Sequence, residues 1–294
     1  MTPLRTTARG FLLAVTALLL GAGAAAASPS AAVPRLVFPV LGSVSYVDDF
    51  GDPRGQGGHQ GNDIMAPRHA LALAAEAGTV KFWTTSSRAG CMLYLYGKSG
   101  TTYLYIHLNN DLSDGDDDRG GCVDGVAFAK GLRSGARVAA GQPIGFVGDS
   151  GDAEGGSPHL HFEVHPGGGA ATSPYPYLQK ARRLLFAAKP GTTFTLALTG
   201  TVASTADADL SMKLDQVRSW PGGRKTEQAG QKVAVSVSET TSFEGPAGLA
   251  YPSLELLTQG LPITVWTKPA KVTLPALAGD RGALAAARVV VKRP

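Results

Sequence analysis

Short apolar stretches, separated by glycines and polar turns, fill the chain from about residue 36 to residue 178. Five of them are 78–83, 91–96, 102–107, 144–147 and 159–164, and the clearest alternation of hydrophobic and polar side chains is in 159–164. Alternation with a period of two is typical of strands in an antiparallel sheet. Lys98-Ser99-Gly100, between two of these stretches, predicts a hairpin turn. We therefore predict an antiparallel β-sheet domain over residues 35–189.

A second series of strand-like stretches follows. Apolar positions over residues 177–188 have helical spacing, and Lys189-Pro190-Gly191 is expected to end that helix at a domain boundary. Beyond it, five stretches favour strands: 194–202, 210–217, 232–237, 263–268 and 286–292. The chain is therefore predicted to be mainly β, with a small all-β domain over residues 190–294. That domain is expected to be a closed barrel or a sandwich, the oligonucleotide/oligosaccharide-binding (OB) barrel being one such form.

The first residues have the pattern of an export signal. Arg5 and Arg9 precede an apolar run, and small residues precede Ser28. This order predicts a signal peptide over residues 1–27, followed by a short disordered lead-in over 28–34. A retained membrane anchor is the alternative, but the apolar run is short for a bilayer span. We expect an extracytoplasmic protein with no membrane contact after cleavage.

The composition of the chain favours one disulfide and argues against nucleic acid as a partner. Cys91 and Cys122 are the two cysteines of the chain, and export favours a disulfide between them, with buried thiols as the alternative. Residues 109–136 are predicted to form a long surface loop. Its acidic run, 111–118, is either a Ca²⁺ site or, more simply, a solvated charge run. The formal net charge is +4, but no Lys/Arg cluster is interleaved with aromatics, so nucleic-acid binding has no support.

The predicted strand over residues 159–165 carries candidate chemistry. Alternation places four polar side chains on one of its faces: His159, His161, Glu163 and His165. The apolar residues between them belong to the opposite, core face. When two imidazoles are neighbours on one face, one can bind a metal ion while the other contacts a water bound to that ion. A solvated strand edge is the alternative.

Two further stretches contain candidate residues. In the strand-like segment 102–108, Tyr103, Tyr105 and His107 are predicted to share one face, as the floor of a wet cleft. In the segment 57–63, His59 and Asp63 offer the nitrogen and oxygen ligands that zinc uses. Glycines around them favour a loop or a strand end rather than a helix.

Together these motifs resemble the lysostaphin-type (LytM-like) zinc endopeptidases, most of which cut peptidoglycan peptides. The similarity covers residues 38–166 and consists of three ordered motifs: His59-x-x-x-Asp63, Tyr105-x-His107-Leu108 and His159-Leu160-His161-Phe162-Glu163. The resemblance implies that Zn²⁺ is held by His59, Asp63 and His161. It also implies that His107 and His159 form the catalytic pair beside the metal.

Three protein ligands leave a fourth zinc position to water, as in catalytic rather than structural sites. The resemblance therefore implies a secreted, wall-associated, monomeric endopeptidase that acts on peptidoglycan peptides. One alternative is a non-catalytic regulator of another wall hydrolase, although such relatives usually lack ligands. Another is a binding module with structural zinc, which needs a fourth protein ligand such as His165 or Glu163.

The chain departs from the family pattern in places. Arg68-His69-Ala70 stands where the family tends to have a Gly-Thr-Pro-like turn, so His69 is predicted to be a surface residue. Some members carry a tyrosine shortly before the first ligand, whereas residues 48–57 contain none. That role is unfilled or falls to one of three other tyrosines: Tyr46, Tyr103 or Tyr105.

Overall fold

The structure of the protein is a computed structural model, and it describes residues 32–55, 57–188, 191–228, 230–246, 253–272 and 284–292. The predicted signal peptide, residues 1–27, and the first four residues of the predicted lead-in lie outside the described residues. Within the described ranges, no helix is long and apolar enough to cross a membrane.

Strands dominate the described part of the chain, which confirms the predicted mainly β class. The strands of the first half are β1 (Pro53–Arg54), β2 (Gly57–Gly58), β3 (Asn62–Met65), β4 (Leu71–Leu73), β5 (Gly78–Ser86), β6 (Gly90–Gly97), β7 (Thr102–Leu108), β8 (Arg137–Val138), β9 (Pro143–Phe146) and β10 (His159–His165). A short helix, α1 (Tyr175–Lys180), follows. The strands of the second half are β11 (Thr193–Ala206), β12 (Asp209–Trp220), β13 (Lys225–Glu227), β14 (Lys232–Ser236), β15 (Ser242–Glu244), β16 (Pro262–Thr267), β17 (Ala270–Lys271) and β18 (Ala286–Val291).

A six-stranded antiparallel sheet organises the first half, in the order β3–β10–β7–β6–β5–β8. The predicted hairpin joins β6 to β7, with Gly100 at a positive φ of 84°. Leu160, Phe162 and Val164 of β10 are fully buried on the inner face. The polar residues that alternate with them therefore lie on the outer face, as predicted.

The predicted wet face of β7 is wrong for two of its three residues. Tyr103 and Tyr105 are fully buried in the core. The hydroxyl of Tyr103 donates to Glu76 Oε2 at 2.9 Å, and that of Tyr105 donates to Leu73 O at 2.9 Å. Their polar tips are thus satisfied inside the protein. His107 still reaches the outer side, because its φ of 60° departs from strand geometry.

The helix α1 is shorter than predicted, since it ends at Lys180 rather than at residue 188. The segment that follows is extended, and the backbone N–H of Arg182 donates to Leu36 O at 2.8 Å. This pairing with a distant part of the chain replaces the helix. Leu184 and Leu185, which were part of the helical spacing, are buried in this extended segment instead.

The second half forms a mixed sheet that closes on itself. Antiparallel pairing runs through β14, β12, β11, β16 and β18, whereas β15 pairs with β18 in parallel. Ser236 at the end of β14 bridges Ala285 beside β18, which joins the two ends of the series. The structure therefore favours the barrel over the sandwich. Its identity as an OB barrel stays a prediction.

Each half has its own hydrophobic cluster. A third, smaller cluster contains Leu184 together with residues from the first half. All described residues nevertheless belong to one compact unit. In it, Gln228 Nε2 donates to Leu185 O at 3.3 Å. Independent folding of residues 35–189 and 190–294 stays a prediction.

Cys91 and Cys122 form a disulfide, as predicted. The bond ties the long loop between β7 and β8 to strand β6. Two polar residues at the start of that loop, Asn109 and Asp111, are almost fully buried. The loop is therefore anchored at both its first residues and Cys122.

Candidate active site

Strands β3 and β10 bring three predicted ligands to one point. Their antiparallel register sets His161 opposite Asp63, and His59 lies shortly before β3. His59 Nε2 is 3.1 Å from Asp63 Oδ1 and 2.9 Å from His161 Nδ1. His161 Nδ1 is 3.0 Å from Asp63 Oδ1. Side chains about a hundred positions apart in sequence thus form one triangle of atoms.

Hydrogen bonds on the far side of each imidazole determine which nitrogen faces this triangle. His59 Nδ1 lies 2.9 Å from Asp49 O, and because a carbonyl only accepts, Nδ1 must carry the hydrogen. His161 Nε2 donates to Glu163 Oε1 at 3.1 Å. His59 Nε2 and His161 Nδ1 therefore present lone pairs. Two nitrogen lone pairs and a carboxylate oxygen converge on one small volume.

Three electron-rich atoms so close together require a positive charge between them, either a proton or a metal ion. Burial disfavours the ionised form of Asp63, but its hydrogen bond with His161 and the nearby histidines hold its pKa well below the usual range. Burial likewise opposes a charged His161, yet Asp63 and Glu163 raise its pKa to about 9. A proton on His161 satisfies the triangle. A divalent metal ion satisfies it as well, and with a higher charge.

The donor set fits Zn²⁺. Zinc binds imidazole nitrogen at about 2.0–2.1 Å and carboxylate oxygen at about 2.0–2.2 Å, so tetrahedral ligand atoms lie about 3.3–3.5 Å from one another. The observed separations of 2.9, 3.0 and 3.1 Å are a few tenths of an ångström shorter. His59, Asp63 and His161 form a group able to hold a metal ion, and His159 is not part of it.

Glu163 and His165 lie behind His161. His165 Nε2 donates to Glu163 Oε2 at 2.6 Å, and His165 Nδ1 donates to Gly169 O at 2.8 Å. The hydrogen bond to Glu163 raises the pKa of His165. Burial opposes ionisation of Glu163, but hydrogen bonds from both histidines lower its pKa to about 2. A charged Glu163 therefore fixes the orientation of His161.

Asp49 and Arg54 support the other two residues of the triangle, and sequence reasoning assigned neither a role. Asp49 accepts from His59 through its carbonyl, and its Oδ1 accepts from Asn62 Nδ2 at 2.5 Å. Arg54 Nη2 donates to Asp63 Oδ2 at 2.9 Å. Asp63 thus uses one oxygen for the triangle and the other for Arg54. The one available signal was their position in the stretch just ahead of His59.

His107 and His159 stand beside the triangle. His107 Nδ1 donates to Ser150 O at 2.8 Å, and His159 Nδ1 donates to Ser157 O at 3.0 Å. Their ring centroids are 5.0 Å apart, and His159 Nε2 lies 3.8 Å from Asp63 Oδ1. Burial lowers the pKa of His107 to about 4. The Nε2 atoms of both rings are left for other partners.

An open cleft of about 650 Å³ is lined by all five candidate residues: His59, Asp63, His107, His159 and His161. None of the three tyrosines considered for a catalytic role is among its lining residues. Tyr46 instead packs against Phe38 and Tyr175. His69 is also absent from the lining, and its Nδ1 lies 3.4 Å from Asp114 Oδ1.

The acidic loop gathers carboxylates of its own. Asp111, Asp116 and Asp118 each offer an oxygen within 4.8 Å of the others. Arg68 pairs with Asp111 and with Asp149 Oδ1, the latter at 2.5 Å. Arg68, which lies between β3 and β4 and outside the loop, thus supplies a counter-charge to it. Calcium binding and a solvated charge run both stay open.

The fold and the cleft define the class of this protein: an antiparallel β protein with two histidines and an aspartate arranged as in a metal centre. No family model matches the chain. It is 30% identical over 156 residues to the L-Ala–D-Glu endopeptidase of Bacillus subtilis. The match covers 49% of this chain and 43% of that enzyme, so the chain spans less than half of the relative's length. It confirms the resemblance to the LytM-like endopeptidases.

Several solved structures resemble about half of the chain, and two of them illustrate the similarity. One is a Ruminococcus gnavus protein that carries the name of the glycyl-glycine endopeptidase LytM, with 26% identity, a TM-score of 0.39, and coverage of 49% of this chain and 59% of that one. The other is the catalytic domain of lysostaphin from Staphylococcus simulans. It has 24% identity, a TM-score of 0.36, and coverage of 46% and 92%.

Proposed function

We propose that this protein is a secreted, wall-associated, monomeric zinc endopeptidase that hydrolyses a peptide bond of bacterial peptidoglycan. The observation that carries the proposal is the triangle of His59 Nε2, Asp63 Oδ1 and His161 Nδ1 on the wall of an open cleft. The Bacillus subtilis relative supports the substrate class. The bond in its name joins L-Ala to D-Glu, and D-amino acids of this kind belong to wall peptides.

In this proposal the residues of the cleft fall into a metal-binding group and a catalytic pair. His59, Asp63 and His161 would hold Zn²⁺, and the ion would supply a bound water whose pKa is lowered to about 7. The hydrogen bonds to Ser150 O and Ser157 O hold the rings of His107 and His159 with Nε2 directed away from them. Each Nε2 is placed to accept a proton from the attacking water, to stabilise the oxyanion or to protonate the leaving amine.

The alternative is a non-catalytic regulator of another wall hydrolase. Such a protein needs the fold and a binding surface, but it needs neither His107 nor His159 beside the metal. Both residues line the cleft together with the triangle. Their presence favours catalysis.

Mass spectrometry of fragments released from purified peptidoglycan tests the proposal. The wild-type protein is expected to release peptides with a new amino terminus. His107→Ala and His159→Ala each lose about 10²–10⁴-fold in rate, because proton transfer contributes that much. His69→Ala, outside the cleft, serves as the matched control with an unchanged rate. Release of no peptide, or a His159→Ala variant as active as the wild type, contradicts the catalytic proposal.

A further inference from the structure

The outer face of the six-stranded sheet continues beyond the metal centre. Strand register places Glu163 of β10 opposite Leu104 of β7, Leu104 opposite Tyr94 of β6, and Tyr94 opposite Lys81 of β5. Residues directly opposite one another in neighbouring strands point to the same face. These four side chains therefore form one row that leads away from His161.

Two more aromatic residues lie beside Tyr94 on this face. The ring centroid of Tyr94 is 6.4 Å from that of Trp83 and 6.1 Å from that of Tyr96. Trp83 is 43% exposed and Tyr96 is 44% exposed, so both are among the large side chains left open to solvent. Lys81 Nζ lies 5.9 Å from the centroid of Trp83. We call Trp83, Tyr94 and Tyr96 the aromatic strip.

The aromatic strip is close enough to the metal centre to contact the same substrate molecule. Neighbouring strands lie about 4.7–4.9 Å apart, and β7 alone separates β6 from β10, so Tyr94 and Glu163 stand on strands about 10 Å apart. One residue of extended peptide spans about 3.3–3.6 Å. His161 lies two residues, about 7 Å, from Glu163 along β10, so Tyr94 and His161 are about 12 Å apart. A group three or four units from a bond held beside His161 therefore reaches the strip.

The strip suits flat rings better than an extended peptide. Strand β6 is paired on both sides, by β5 and by β7, so its backbone groups are not free to hydrogen-bond a peptide main chain. What the face offers is aromatic rings with polar tips: two phenol hydroxyls, an indole N–H and the nearby ammonium of Lys81. Such side chains combine an apolar contact surface with hydrogen bonding at the rim.

We propose that the aromatic strip binds sugar rings of the glycan that carries the scissile peptide, an inference that rests on the proposed function. In peptidoglycan the stem peptide is attached through a lactyl group to N-acetylmuramic acid. The first bonds of the stem therefore lie within three or four units of a sugar. The C–H faces of the sugar stack on Trp83, Tyr94 and Tyr96, and its hydroxyl and N-acetyl groups bond to their polar tips.

Two matched substrates test this proposal: a stem peptide linked to its disaccharide, and the same peptide without sugars. The double variant Trp83→Ala/Tyr96→Ala is expected to raise KM about tenfold or more for the linked substrate, as loss of anchoring aromatics does at other interfaces. Its kinetics on the sugar-free peptide stay unchanged. Leu256→Ala is the control, because it removes an apolar side chain of similar exposure, 49%, far along the chain. It is expected to leave KM unchanged for both substrates.

An equal loss on both substrates shows that the strip binds peptide, and this result overturns the proposal, as does the absence of any loss. If the wild-type protein cleaves neither substrate, the proposed function itself has failed. In that case a binding titration with peptide-free glycan strands, monitored by tryptophan fluorescence, tests whether the aromatic strip binds glycan independently of catalysis. Saturable binding that the double variant loses supports the strip as a glycan site, and no binding by the wild type overturns it.

Discussion

Gly61 lies against the imidazole of His161 at the turn that leads into β3. A Cβ atom there would stand 2.7 Å from His161 Nε2 and 2.7 Å from the carbonyl oxygen of Phe162. The carbonyl belongs to the sheet and cannot move away cheaply. The short distance between β3 and β10, and with it the triangle of proposed metal ligands, therefore depends on glycine at this position.

Gly61→Ala is expected to displace His161 and to weaken zinc binding about tenfold or more, the effect of disturbing a ligand's support. Competition with a chelator of known affinity measures the change. Gly115→Ala serves as control, because a Cβ at Gly115 meets only Ser113 Oγ at 3.6 Å. Unchanged zinc affinity in Gly61→Ala would mean that the triangle tolerates a shift of His161.

Glu163→Gln tests how His161 is oriented. The substitution removes the charge that accepts hydrogen bonds from His161 and His165, so zinc affinity is expected to fall about 10–100-fold. The same chelator competition measures it. Glu244→Gln, which alters an exposed pair with Arg288, should leave zinc affinity unchanged. Equal affinities of Glu163→Gln and the wild type contradict the supporting role.

The resemblance to the LytM-like endopeptidases named all five candidate residues of the cleft, whereas strand alternation alone pointed only to candidates on β7 and β10. Alternation in β10 correctly set His161 and Glu163 on one face. It failed in β7, because aromatic residues with polar tips fit either a wet face or a satisfied core, and sequence does not say which. Asp49 and Arg54 were missed since their contacts with the triangle exist only once distant segments have folded together.

The disulfide between β6 and the long loop acts at the scale of elements. Its cysteines are 31 positions apart in sequence, so removing it is expected to lower the free energy of unfolding by about 3–4 kcal/mol on the chain-entropy account. Denaturant titration of Cys91→Ala/Cys122→Ala measures the loss. Reduction of the wild-type protein should lower its stability by a similar amount, whereas no change in either case contradicts the prediction.

The strands and the hairpin at Gly100 were predictable because period-two alternation and turn residues are local signals. The end of α1 was not. The segment after Lys180 has helical spacing, but its backbone pairs with Leu36, about 145 positions earlier in the chain. Such a long-range hydrogen bond overrides a local preference, and no pattern within the segment reveals it.

The two hydrophobic clusters determine what happens when the chain is cut. Among the residues that the structure describes, none after Ala181 belongs to the cluster of the first half. A chain that ends at residue 188 is therefore expected to unfold cooperatively and to bind about one zinc per molecule. Leu185 and Phe186 belong to the second cluster. The truncated chain should therefore carry serine at both positions to limit aggregation.

Calorimetry and zinc analysis of this truncated chain measure both properties. The full-length chain with the same two substitutions is the control, and it is expected to lose stability because those side chains are buried there. A truncated chain that shows no cooperative transition contradicts the boundary predicted near residue 190. The sequence left a closed barrel and a sandwich open, because the bridge between Ser236 and Ala285 that favours the barrel depends on strand order rather than on strand pattern.

Zinc content after purification is the most direct test of the central claim that His59, Asp63 and His161 form one metal site. Metal analysis should find about one zinc per chain in the wild type and in His107→Ala and His159→Ala, because the proposed site needs neither of those residues as a ligand. Zinc should be lost in variants that replace any member of the triangle with alanine. A folded wild-type protein that takes up no zinc, or full zinc content in His161→Ala, would contradict the account.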